Sequence, residues 1–297
     1  MAGKDITEKS LEAYNDVFAD IVNVLLFDGK EYVKEDELEQ GRERGEYQGE
    51  NGIREYERDS SKFWKQSNIR IAYFGLENET EAEDDMPFRV IGYDGAAYRD
   101  QISYYTDDDG KRQRNSSRYP VVTLVLYLGY EHTWDKAKSL YEALGDRIPD
   151  GLRPFVRDYK LNIFDIAFLP DEKVEQFKSD FRVLADYLVQ MRKNDSYIPS
   201  EQTIVHVREV LNLMSQVTDD DRFAETINEI EKGDEPKNMC TVLDKVENKG
   251  RKEGQKEITQ LMAYLASKGR YDDIMKANED EDFLYKLLAD QKDGKLF

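Results

Sequence analysis

Asp59, Glu77 and Glu79 are the residues whose types and spacing could do chemistry. The two glutamates, one residue apart, close the apolar run IRIAYFGLEN at residues 69–78, and Asp59 precedes it. Side chains alternate along a strand, so Ile69, Ile71, Tyr73, Glu77 and Glu79 share one face while Asn78 points to the other. An aspartate beside such a dyad makes a hard-oxygen cation site. Phosphodiester hydrolysis needs an activated water, a neutralised phosphate and a stabilised leaving oxygen, all of which one or two Mg²⁺ ions can supply. Mg²⁺ takes only one or two carboxylates from a protein, so Asp59 and Glu77 suffice as ligands, with Mn²⁺ as a substitute ion. Two carboxylates ~4 Å apart repel by ~4 kcal/mol at an effective dielectric of 20, so three together call for a cation or a proton. The competing reading puts Asp59 on a solvated turn and makes the glutamates the start of the acidic loop that runs to Asp85.

Composition narrows the classes. With 63 acidic and 43 basic residues, the net charge of −20 excludes a general nucleic-acid coat and leaves room only for a local groove. Hydrophobic residues make up 39%, including 19 Tyr and 13 Phe, which is enough for a core. One cysteine, Cys240, and two histidines, His132 and His206, exclude a disulfide framework and a Cys/His zinc cluster. The start MAGKDITEKS has no apolar leader, and no run approaches the ~20 apolar residues of a membrane span, so a reducing, cytoplasmic setting is expected.

The elements that must position these residues follow from periodicity. Residues 5–27 read as an amphipathic helix, with Asp5 and Glu8 at capping-box spacing and Leu11, Phe18, Ile21 and Leu25 on one face. Residues 28–57 read as a charged loop or a pair of irregular strands. Residues 69–78 are apolar on both faces, as a central strand covered by helices on both sides must be. A helix is expected over 86–101 with Pro87 in its first turn, then strands over 121–127 and 162–169. From Asp171 only helices are expected, at 171–193, 200–216, 219–232 and about 240–291, with Gly250, Gly254 and Gly269 interrupting the last. The fold class is therefore α/β with a mixed sheet over residues 1–170, a helical extension over 171–235 and a helical tail over 236–297.

Several residues could support the carboxylates. Arg89 and Tyr93, one helical turn apart, could both face the acids and touch a phosphate, or the Arg could pair with Asp84 or Asp85 while the Tyr packs inside. Asp16 and Asp20, a turn apart on the first helix, lie on its solvated face, unless that helix lends an acid to the site as the resemblance given below implies. The loop Lys111, Arg112, Arg114 and Arg118 is the best local basic patch for DNA phosphates, unless Asp107, Asp108 and Asp109 neutralise it. Lys245, Lys249, Lys252 and Lys256 form a basic stripe if helical, for DNA or a partner subunit, or simply a charged face.

At these residues the chain resembles the recombination-promoting nuclease / putative transposase family of the PD-(D/E)XK nuclease superfamily. The resemblance rests on Asp59, on Glu77-Asn78-Glu79-Thr80, on Met86-Pro87-Phe88-Arg89 with Tyr93, and on Tyr119-Pro120-Val121-Val122 leading to Tyr127 and Gly129. The opening Asn15-Asp16-Val17-Phe18 and the segment from Asn248 to Gly254 also look like the family. The resemblance implies a restriction-endonuclease-like core and Mg²⁺-dependent DNA cleavage in recombination or mobile-element biology, with Asp59 and Glu77 as metal ligands. Glu79 stands where the superfamily has Lys and this family more often Gln. It either holds the water or a second ion, or a cation such as Lys62 or Arg89 stands in for the Lys, or the site has decayed. The leading expectation is a metal-dependent DNA endonuclease, in which one site per chain would call for a homodimer to cut both strands. The alternative is a catalytically weakened nuclease fold acting as a binding module for DNA or protein.

Overall fold

An eleven-residue strand, Ile69–Glu79, forms the middle of the main sheet. The computed structural model describes residues 10–42, 44–49, 52–67, 69–114 and 116–292. In chain order the elements are α1 (Asn15–Phe27), β1 (Leu38–Gln40), β2 (Arg44–Gly49), β3 (Gly52–Glu57), β4 (Ser60–Gln66), β5 (Ile69–Glu79), α2 (Met86–Asp100), β6 (Tyr104–Thr106), β7 (Arg112–Arg114), β8 (Val121–Tyr127), α3 (Leu140–Leu144) and β9 (Asn162–Asp165). The helices α4 (Asp171–Val174), α5 (Phe181–Asn194), α6 (Val207–Thr218), α7 (Arg222–Lys232), α8 (Met239–Ser267), α9 (Tyr271–Glu279) and α10 (Glu281–Lys292) complete it.

The main sheet runs β1-β4-β5-β8-β9, antiparallel through β5 and parallel from β5 onward, so it is mixed. Each face of β5 is covered by a different layer. Ala72, Phe74 and Leu76, with Leu124 and Leu126 of β8, meet Val17, Phe18, Ile21 and Val22 of α1. On the other face Val125 and Tyr127 of β8 pack with Met86 and Val90 of α2 and with Trp134. The helix α2 is the crossover between parallel β5 and β8, and such a crossover must lie across a sheet face.

The first helix starts later than its periodicity suggests. Residues 5–9 lie outside the described residues; Leu11–Ala13 is a 3-10 turn and Tyr14 is extended before α1 begins. The segment 28–57 contains a regular hairpin, β2 with β3, and the edge strand β1. The short stretch after Asp59 is itself a strand, β4, which pairs along β5.

The helices α4 to α7 and the first half of α8 do not form a separate core. One apolar cluster continues from the sheet through Phe177, Phe181, Leu211 and Phe223 to Met239 and Val242. The helix expected over 171–193 is broken between α4 and α5, and α6 starts at Val207, because the Asp180 carboxylate takes the N–H groups of Val205 and His206. Beyond the shared core, Leu261 and Leu265 of α8 pack with Ala277 and Leu287 in a cluster of their own. Gly250 and Gly254 do not interrupt α8; Gly269, with φ +71°, marks the turn into α9. Lys245 and Lys249 of the basic stripe are paired with Glu235 and Glu225.

Candidate active site

Glu77 and Glu79 leave the same face of β5 near its carboxyl end, and α2 sets Arg89 over them. Arg89 donates from Nη2 to Glu77 Oε2 at 3.2 Å and from Nη1 to Glu79 Oε1 at 2.9 Å and Glu83 Oε1 at 2.5 Å. Its Nε lies 3.5 Å from the Tyr93 hydroxyl, so Arg89 and Tyr93 do face the acids together. Glu79 thus carries its negative charge into an ion pair with the guanidinium. Glu77 is only 1% exposed, and its Oε1 has no hydrogen-bond partner. Burial first, and then the negative charge of Asp59, push the Glu77 carboxyl up to about 8 against the opposing pull of Arg58 and Arg89. Burial also raises Glu79.

Asp59 occupies the exposed turn between β3 and β4, yet it is tied to β5: its Oδ2 accepts the Asn78 N–H at 2.7 Å. It therefore serves both faces of the strand end. Opposite Glu77, a cleft of about 510 Å³ is lined by Asp59, Asn78, Thr80, Glu209 and Glu12. Glu12, in the 3-10 turn before α1, is 1% exposed; Glu12 Oε1 and Asn78 Oδ1 are buried without a partner. Burial and, further down, the charge of Asp59 raise the Glu12 carboxyl. A helix-period reading of residues 5–27 could not single out Glu12, because it is the break at Tyr14 that accompanies its burial.

Buried, partnerless carboxylate oxygens that favour a proton also suit a cation, and oxygen donors suit a hard one. Among the described residues no group of three or more His, Cys, Asp or Glu has the geometry of a metal site. Two carboxylates, the number that Asp59 and Glu77 would offer, are within what Mg²⁺ takes from a protein.

Behind Glu77 lies an arginine that composition and spacing do not mark. Arg58 is 2% exposed; its Nη2 donates to Asp94 Oδ1 at 2.6 Å, and its Nε stands 4.0 Å from Glu77 Oε1. Asp94, on α2, also accepts from Thr123 Oγ1 at 2.6 Å and from the Tyr159 hydroxyl. The guanidinium lies over the Tyr93 ring at 5.0 Å. Gly75 makes this path possible, since a Cβ there would sit 2.2 Å from Arg58 Nη1 and 3.2 Å from Thr123 Oγ1. Gly75→Ala is accordingly expected to cost about 1–3 kcal/mol by overpacking, read as a lower urea midpoint. An unchanged midpoint would show that the arginine can sidestep the methyl group.

The remaining candidates lie elsewhere. Lys62 is on the opposite face of the sheet from Glu79: its Nζ donates to Ala13 O at 2.7 Å and Gln40 Oε1 at 3.1 Å beside the Phe18 ring. Of the two cations considered as a substitute for Lys, only Arg89 reaches Glu79. Asp16 pairs with His206 Nε2 at 3.0 Å, and Asp20 accepts the N–H groups of Lys178 and Ser179. Both acids of α1 therefore bind its helical neighbours. Arg112 and Arg114 form β7, with Lys111 just before it, and Arg118 donates to Ser117 O.

A family model described as Putative transposase, YhgA-like matches residues 64–222, more than half of the 297 residues. The chain belongs to this family. The matched segment contains Glu77, Glu79, Arg89, Tyr93 and Asp94, while Arg58 and Asp59 lie just before it. No curated protein and no solved structure matches the chain. Among the described residues no helix is long and apolar enough to cross a membrane.

Proposed function

We propose that this family member is a metal-dependent DNA endonuclease that hydrolyses phosphodiester bonds in recombination or mobile-element movement. One observation carries the reading: a buried Glu77 carboxylate whose Oε1 has no hydrogen-bond partner, beside the anchored Asp59, at the carboxyl ends of the parallel strands β5 and β8. Ligands of open α/β sheets bind outside those ends. The family description, a transposase, supports DNA as the substrate.

Asp59 and Glu77 would hold Mg²⁺ or Mn²⁺, and when bound the ion supplies an activated water and neutralises phosphate charge. Glu79, at the half-buried rim, would accept a hydrogen bond from the attacking water. Arg89 is accessible enough to exchange its contact with Glu77 for a phosphate oxygen, to which its planar fork is matched. Tyr93 orients that guanidinium.

A second reading has its own observation. Arg89 spans Glu77, Glu79 and Glu83 as a built-in counter-cation, the arrangement expected of a weakened site retained in a DNA- or protein-binding module. Nicking of supercoiled plasmid in Mg²⁺ or Mn²⁺ decides between them. Wild type should nick and Glu77→Ala should not rise above background. Equal nicking by both would overturn the assigned site, and none by either would favour the binding module.

A further inference from the structure

The ribbon of β6 and β7 follows α2 and stands apart from every core cluster. All six of its residues are exposed on both faces. Its register pairs Tyr104 with Arg114 and Thr106 with Arg112, so these four share one face, while Tyr105 and Gln113 share the other. The Arg112 guanidinium lies 4.1 Å over the Tyr104 ring, and Tyr104 and Tyr105 are 52% and 57% exposed. The nearest acid in the turn is already used: Asp107 accepts the Lys111 N–H and the Gln113 side-chain amide, both at 2.7 Å. Asp107 therefore closes the turn, and among the described residues no ion pair joins it, Asp108 or Asp109 to Arg112 or Arg114. Asp108 and Asp109 remain at the tip.

A short two-stranded ribbon with no buried face gains little from packing. Exposed rings beside guanidiniums that make no ion pair among the described residues are instead what a nucleic-acid contact surface requires. Arg112 and Arg114, two residues apart on one strand, are ~7 Å apart, close to the spacing of successive phosphates on a DNA strand. Position matters as well. Arg89 is in the first turn of α2 and the ribbon follows its last, and the fifteen residues of that helix span about 22 Å, or roughly six base pairs of duplex.

We propose that the β6–β7 ribbon is an arm that grips the phosphate backbone of a DNA duplex, about six base pairs from the catalytic carboxylates. The inference rests on the nuclease reading only for its ligand. On a chain with net charge −20, this local cationic face gives a polyanion a place to land. Arg112 and Arg114 neutralise phosphates, and Tyr104 holds Arg112 in place by cation–π contact.

The test is fluorescence anisotropy of the full chain with a labelled duplex of about 30 base pairs in Ca²⁺, across a salt series. The double variant Arg112→Ala/Arg114→Ala should bind more weakly, with a log–log salt slope shallower by about two. Arg112→Lys/Arg114→Lys should keep the slope, because the charges remain. An unchanged slope in the alanine variant, or no duplex binding by wild type, would overturn the arm. Glu77→Ala separates the two claims: failure to abolish nicking would overturn the assigned catalytic site alone, and an unchanged slope in the alanine double variant would overturn the arm alone.

Discussion

Replacing Arg58 by Met should destabilise the protein by about 3–5 kcal/mol, the usual cost of removing one partner of a buried ion pair. The guanidinium has almost no solvent contact, and among the described residues its 2.6 Å bond is the one that Asp94 receives from a cationic donor. Once Arg58 is gone, Asp94 keeps two neutral donors, Thr123 and Tyr159, for a full buried charge. The methionine fills much of the same volume, so the loss is electrostatic and not a cavity effect. Urea unfolding of Arg58→Met, Asp94→Asn and the double variant closes the cycle. The double variant should recover part of the loss, since Asn leaves no unpaired charge. A single-variant cost below about 1 kcal/mol would contradict the buried-pair reading. The same arginine precedes Asp59 in the chain and flanks Glu77, so its loss should also lower the Tm gain expected of wild type in millimolar Mg²⁺.

The second large effect is in pH dependence. In metal-free protein burial pushes the Glu77 carboxyl up to about 8, against 4.5 for the unperturbed group. Between those values the folded state holds a proton that the unfolded state has released. Stability from this group is therefore complete below the unfolded value and is lost as pH rises through the folded one, with a slope approaching about 1.4 kcal/mol per pH unit. Glu77→Gln stays neutral throughout, so the difference between wild-type and variant stability should change across pH 4.5 to 8, with the variant the more stable at the upper end. Adding Mg²⁺ at pH 8 should stabilise wild type and leave the variant unmoved, because the cation binds the ionised form. Parallel pH curves for the two proteins in EDTA would sink the account.

How much of this was legible beforehand depends on the range of the interaction concerned. The central strand could be read from residues 69–78 because a run apolar on both faces has few places to go other than the middle of a covered sheet. Strand alternation alone put Glu77 and Glu79 on one side and Asn78 on the other. The helix α2 could be read from Pro87 and its flanking pattern. The strand β4 was not, since SSKFWKQ has too few apolar residues to declare itself, and only pairing with β5 stabilises it. Gly250 and Gly254 weaken a helix locally, but tertiary anchoring at both ends of α8 outweighs about 1 kcal/mol per glycine.

Local order along the chain thus determined the α/β class, the acid-bearing strand and the overall acidity that confines any DNA contact to a patch. The tertiary structure alone decided the charge partners. It placed Arg89 over the glutamates, sent Lys62 to the other face, drew Asp16 and Asp20 toward the neighbouring helices, and buried Arg58, Asp94 and Glu12 around the strand end. The physical reason is that periodicity assigns a side chain to a face, whereas ion pairing and desolvation depend on which distant segment meets that face. Arg89 meets Glu79 and Glu77 across 10 and 12 residues, a pairing that periodicity left open, whereas Arg58 with Asp94 and His206 with Asp16 join across 36 and 190 residues, beyond any local window.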